Sequence, residues 1–193
     1  MRTRQNSGSG GAQTNVNGLH FEQLVFLPRL MNGTFNNFTI NLDDNSVSHY
    51  DETTRQNNNV GIFGCKHDLY RYLRTLTPPI IWSNIISKQL LPDQFLKIKD
   101  TFYILEVKYQ NGKGSVDEKL QTCAFKLQEY KRLVPSGSQV KYSYILNSWF
   151  KRPEYRDVKN YIRDSGCDYF FPIDENSQQC QGEINKLLNF IFV

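Results

Sequence analysis

The chain has 193 residues, 39% apolar and 13% aromatic, enough for one domain with a substantial core. Its net charge of +4 permits a nucleic-acid partner without requiring one. No stretch has the length of a membrane span, Met1–Arg4 lead into Ser and Gly rather than an apolar signal segment, and Cys65, Cys123, Cys167 and Cys180 form no CxxC pair. These features point to an intracellular, cytoplasmic protein with reduced thiols and no membrane partner. They also set zinc aside: His67 alone lies at ligand-like spacing from a cysteine, and no second pair completes a four-ligand set.

Residues 1–17 are polar and glycine-rich and read as a flexible N-terminal arm, either a plain disordered end or one whose Arg2, Arg4 and amides meet phosphate. Residues 18–193 read as a single domain. Residues 18–30 (GLHFEQLVFLPRL) are expected to be helical, with Leu19, Leu24, Val25 and Leu27 as an apolar stripe, Glu22 among them and Pro28 as an end or kink. Residues 31–60 are rich in Asn, Asp, Thr and Ser. Phe38–Leu42 alternates as a short strand, and the rest reads as a polar insertion or loop. Asp43-Asp44 reads as a turn, because adjacent strand residues point to opposite faces.

Residues 66–76 suggest a helix that stops before Pro78-Pro79, followed by apolar Ile80–Trp82 and Ile85-Ile86. Two apolar runs, 88–98 and 102–109, flank the polar pair Lys99-Asp100 and form a hairpin. Ser115 and Glu118 make a capping box that opens a helix over 116–133, with Leu120, Cys123 and Leu127 in its core stripe and Lys119 and Lys126 seven apart on another face. A strand over 139–147, a short helix from Pro153 to Gly166, a strand over 167–173 and a last helix over 177–191 complete the order. The pattern predicts an α/β fold with a central mixed β-sheet flanked by helices.

The hairpin carries the chemistry. With Lys99-Asp100 as a two-residue turn, Ile98 pairs with Thr101, and counting outward places Asp93 opposite Glu106. Opposed residues of an antiparallel pair have Cβ atoms about 4.5–5.5 Å apart, and Glu106 and Lys108 share a face. Two carboxylates so close repel unless a cation lies between them, and hard oxygen ligands suit Mg²⁺. The alternative is a structural trio, with Glu106 and Lys108 as a surface pair and Asp93 capping a turn. The apolar flanks Tyr103–Leu105 and Val107 argue against it, because burying three charges without a metal is expensive.

Pro92-Asp93, a short gap, then Glu106-Val107-Lys108 resembles the core signature of the PD-(D/E)xK nuclease superfamily. Asn17–Glu22 looks like the first-helix motif of these nucleases. The stretch from Glu106 to Gln110, with 114–122, looks like that of small type II restriction endonucleases. The resemblance spans residues 17–22 and 92–132, about one third of the chain. It implies a restriction-endonuclease-like core and Mg²⁺-dependent, sequence-specific hydrolysis of double-stranded DNA by a homodimer, with Mn²⁺ able to substitute. Asp93, Glu106 and the Val107 carbonyl would be the metal ligands, Lys108 would orient water or stabilise developing charge, and Glu22 would complete the shell.

Lys119 and Lys126 are candidates for phosphate contacts, and Gln110 and Gln121 for water or backbone contacts. Lys151 and Arg152, in a basic cluster with Arg156, Lys159 and Arg163, are candidates for lining the DNA. Two competitors stand: a structure-selective repair or junction nuclease on the same core, and a non-catalytic DNA-binding module. A glycosidase would gain nothing from the adjacent lysine, and the scattered His20, His49 and His67 do not suit a histidine-based nuclease.

Overall fold

A computed structural model describes residues 9–112, 116–174 and 176–193. Eight strands form a single mixed sheet whose spatial order is the chain order. They are β1 (Thr34–Phe35), β2 (Phe38–Asn41), β3 (Ser46–Asp51), β4 (Gln56–Gly64), β5 (Gln94–Ile98), β6 (Thr101–Lys108), β7 (Gln139–Leu146) and β8 (Asp168–Phe170). β1 to β6 run as an antiparallel meander, while β7 and β8 are parallel to β6. The two parallel steps require helical crossovers. α4 (Val116–Leu120) and α5 (Cys123–Leu133) supply the first, and α6 (Arg156–Asp164) the second.

The alternation along β6 divides the core. Phe102 and Ile104 pack with α3 (Asp68–Thr75), α5 and α6, through Leu69, Leu127 and Ile162. Tyr103, Leu105 and Val107 pack with α1 (Ser9–Leu24), α2 (Leu27–Met31) and α7 (Gln181–Phe192), through Phe21, Leu30 and Leu188. β6 is thus covered on both faces. Glu106 and Lys108 share the parity of Ile104 and belong to the α5 side.

Four expectations change. Residues 9–17, read as part of a flexible arm, belong to α1, and 1–8, with Arg2 and Arg4, lie outside the described residues. The helix expected over 18–30 is two helices parted at Phe26, which is extended. Pro28 stands in the first turn of α2, where its missing N–H costs nothing.

The stretch 31–60 is not an insertion loop but the first four strands. Its asparagines mislead because many are turn residues: Asn36, Asn37 and Asn45 have φ of 47°, 66° and 60°, the left-handed conformation that tight hairpin turns demand. Asp43-Asp44 is a turn, with the Asn41 side chain accepting the Asp43 N–H and the Asp44 side chain accepting the Ser46 N–H.

The helix over 116–133 breaks at Gln121-Thr122. Tyr144 Oη donates to the Lys119 and Leu120 carbonyls and Thr122 Oγ1 to that of Lys119, so α4 ends with its carbonyls satisfied. Ser115 of the capping box lies outside the described residues.

Among the described residues no helix is long and apolar enough to cross a membrane, and the four cysteines are free thiols.

Candidate metal centre and adjoining clefts

The hairpin register is the one expected. Ile98 pairs with Thr101 across Lys99-Asp100, and the last pair is Gln94 with Leu105. One step further, Asp93 stands opposite Glu106 at the open end. There Asp93 Oδ2 accepts the Val107 N–H at 2.7 Å, taking the place of a strand carbonyl. Pro92 is fixed by its own carbonyl, which accepts the Lys66 N–H at 2.8 Å.

Glu106 is 7% exposed. Its Oε1 accepts from Lys108 Nζ at 2.9 Å and from Lys126 Nζ, on α5, at 2.7 Å. Lys108 Nζ also donates to the Val107 carbonyl at 2.8 Å and lies 3.8 Å from Asp93 Oδ2. One ammonium is therefore ringed by the three oxygen groups that the sequence nominated as metal ligands. The donor set fits a hard divalent cation: two carboxylates and a carbonyl converge on a positive charge. Among the described residues no group of three or more His, Cys, Asp or Glu side chains is arranged to hold a metal ion.

The two carboxylates differ. Burial and the Glu106 charge push Asp93 up to about 6, with Lys108 and the Val107 N–H pulling the other way. Burial also pushes Glu106 up, but the Lys108 and Lys126 ammoniums outweigh it and hold the group below the usual carboxylate range. Behind Glu106, burial and then its charge push the hydroxyls of Tyr130 and Tyr142 well up, and both stay neutral.

On the other side of Asp93 opens a cleft of about 640 Å³, lined by Glu22, Arg29, Lys66, Asp93, Gln94 and Val107 among others. Glu22 thus joins Asp93 in one cleft without entering the close set around Lys108. Gln94, 3% exposed, fixes this arrangement: its Oε1 accepts the Leu27 N–H at 2.7 Å and its Nε2 donates to the Val25 carbonyl at 3.2 Å. One side chain satisfies both main-chain groups freed at the α1–α2 break.

The remaining nominated residues divide. Lys126 is not directed at solvent phosphate but is bound to Glu106. Gln110, Lys151 and Arg152 line a second cleft past the end of β6. Lys119 is exposed on α4, and Gln121 lies apart beside Val158 and Tyr161 of α6. Sequence reasoning missed Gln94, Asn147 and the pairing of Lys126. A signal existed for Lys126, which stands one turn before the buried Tyr130 and next to the buried Leu127, so its stem borders the core stripe. Gln94, polar at a strand start, carried none. Comparison of the chain with family models, with curated proteins and with solved structures finds no match in any of the three.

Proposed function

We propose that the chain is a Mg²⁺-dependent endonuclease that hydrolyses phosphodiester bonds of double-stranded DNA at specific sites, in the manner of type II restriction enzymes and as a homodimer. The observation that carries the reading is the convergence of Asp93, Glu106 and the Val107 carbonyl on the Lys108 ammonium at the end of one hairpin. A helix ahead of an antiparallel strand trio, then a crossover helix and a parallel strand (α1, β4–β6, α5, β7), supports a restriction-endonuclease-like core.

Asp93, Glu106 and the Val107 carbonyl would hold the ion, with Mn²⁺ as a substitute. An ion so held supplies charge neutralisation at phosphorus and a water of lowered pKa. The chain's own residues do the rest. Lys108 places an ammonium beside both carboxylates, where it orients the attacking water and meets charge developing on the phosphate. Lys126 keeps Glu106 ionised and oriented. Glu22, across the cleft from Asp93, positions water on that side. Gln94, next to Asp93 at the start of β5, holds the α1–α2 break against the sheet.

One observation favours the second reading, a non-catalytic DNA-binding module. Asp93, Glu106, Lys108 and Lys126 sum to zero charge, so the quartet is balanced without an added ion. Incubation with supercoiled plasmid separates the readings. Discrete fragments with Mg²⁺ or Mn²⁺, none with EDTA and none from Glu106→Ala are expected. A smear would replace site-specific restriction with a structure-selective or nonspecific nuclease, and intact plasmid under every ion would overturn the nuclease.

A further inference from the structure

The second cleft, of about 800 Å³, opens where the parallel strands β6 and β7 reach their carboxyl ends, the usual ligand position in α/β sheets. Its wall starts at Tyr109, one residue past Lys108. Two features of its lining bear on a ligand.

The first is a group of side-chain amides. Asn147 grips the Gln110 main chain from both sides: Oδ1 accepts its N–H at 3.1 Å and Nδ2 donates to its carbonyl at 2.8 Å. The Gln110 side chain, on a residue 3% exposed, donates Nε2 to the Gly112 carbonyl at 2.7 Å, while its Oε1 is buried without a partner. A buried acceptor left without a donor is costly to keep. Asn176 stands in the same lining. Such amides present donor and acceptor side by side, the pattern that matches base edges.

The second feature is a stacked cation. The Arg152 guanidinium sits 3.4 Å from the centre of the Trp149 ring, and the indole is anchored by its Nε1 donating to Tyr155 Oη at 2.8 Å. Arg152 meets Glu154 only at a loose 4.0 Å, and its side chain is 47% exposed. A guanidinium held on an indole keeps its outer plane free, and bases stack on such planes. A phosphate would need neither the plane nor the amides.

We propose that this cleft seats a nucleobase turned out of the duplex beside the cleaved phosphate, stacked on the Arg152 guanidinium and met at its edge by the amides of Gln110, Asn147 and Asn176. The proposal rests on the nuclease reading and adds its base-reading subsite. The Gln110 acceptor selects a base with an exocyclic amino group, which adenine, cytosine and guanine carry and thymine lacks. Lys151, beside the cleft, serves the backbone.

Fluorescence anisotropy with labelled single strands of dA, dC, dT and an abasic backbone, in EDTA, tests it. The wild-type protein should bind dA and dC more tightly than dT, and the abasic strand least. Arg152→Lys keeps the charge but removes the plane, and should weaken dA binding roughly tenfold, the scale of one lost base stack, while leaving the abasic strand unchanged. In a Trp82→Phe background, strand binding should quench the Trp149 fluorescence. Equal binding of dA and the abasic strand, or an Arg152→Lys protein that binds dA like wild type, would overturn the subsite. If plasmid is still cut in those cases, the nuclease reading survives. If plasmid stays intact and no strand is bound, both fall.

Discussion

Replacing Asp93 by Asn should stabilise the metal-free protein while abolishing cleavage. The folded-state pKa of Asp93 is raised from 3.8 to about 6. A carboxyl shifted upward binds protons more tightly in the native state than in the unfolded chain, so stability falls as pH rises through the window from about 4 to 6. Above that window the ionised group is a net burden. A shift of about two units corresponds to a ceiling of ~3 kcal/mol at 1.36 kcal/mol per unit. The Asp93 side chain is 18% exposed, so solvent relieves part of it and about 2 kcal/mol is the expectation.

Asn removes the repulsion from Glu106, and its Oδ1 can still accept the Val107 N–H. At pH 8 in EDTA, calorimetry and urea titration should show the variant melting roughly 4–8 °C above wild type, with the advantage gone by pH 4. Mg²⁺ should raise the melting temperature of wild type, since a ligand that binds only the native state stabilises it, and leave Asp93→Asn unmoved. A variant less stable than wild type at pH 8, or a difference indifferent to pH, would refute the electrostatic account of this site.

Glu106→Gln should go the other way. It leaves Lys108 and Lys126, whose side chains are 16% and 22% exposed, facing each other without their shared carboxylate, and should lower stability by about 2–4 kcal/mol in urea titration. Gln94→Leu strips the Leu27 N–H and Val25 carbonyl of their buried partner and should cost about 1–3 kcal/mol for each group left unsatisfied. Hydrogen exchange at Leu27 should accelerate, and plasmid cleavage should fall although no proposed ligand is altered.

The hairpin was legible because every local signal agreed: two apolar runs, a two-residue polar break, and carboxylates at mirror distances from it. The meander was not. β2 and β3 lie toward one edge of the sheet, where Phe38 packs on Phe192 of α7 at 4.9 Å and Val47 is fully buried, but much of the intervening sequence faces solvent and stays polar. The run Asn57–Asn59 pairs with Tyr50, His49 and Ser48 through main-chain groups that any residue carries. Gly61 is the exception that composition concealed: a Cβ there would fall 2.0 Å from the Lys97 carbonyl oxygen, so the close approach of β4 to β5 requires glycine at that place.

The asymmetry of the two carboxylates was beyond the reach of the hairpin alone. Taken by themselves, Asp93 and Glu106 are a near-symmetric pair sharing Lys108. Lys126 breaks the symmetry, arriving from α5 across twenty residues of chain. With two ammoniums on it, Glu106 is held below the usual carboxylate range; Asp93, left with Lys108 at 3.8 Å and with burial and Glu106 against it, is pushed up to about 6. Paired groups whose environments push their pKa values apart mark a division of labour. Glu106 is the carboxylate that its two lysines favour as the anion. Ionised Asp93 bears the cost of burial and of the Glu106 charge, which a further positive charge would relieve, so in the proposed metal site cation binding and Asp93 deprotonation would be linked. The helix that follows the hairpin thus does more than cover it: by delivering one lysine to one carboxylate, it makes the two carboxylates unequal, and in the proposed metal site Asp93 would be the one that responds to an incoming ion.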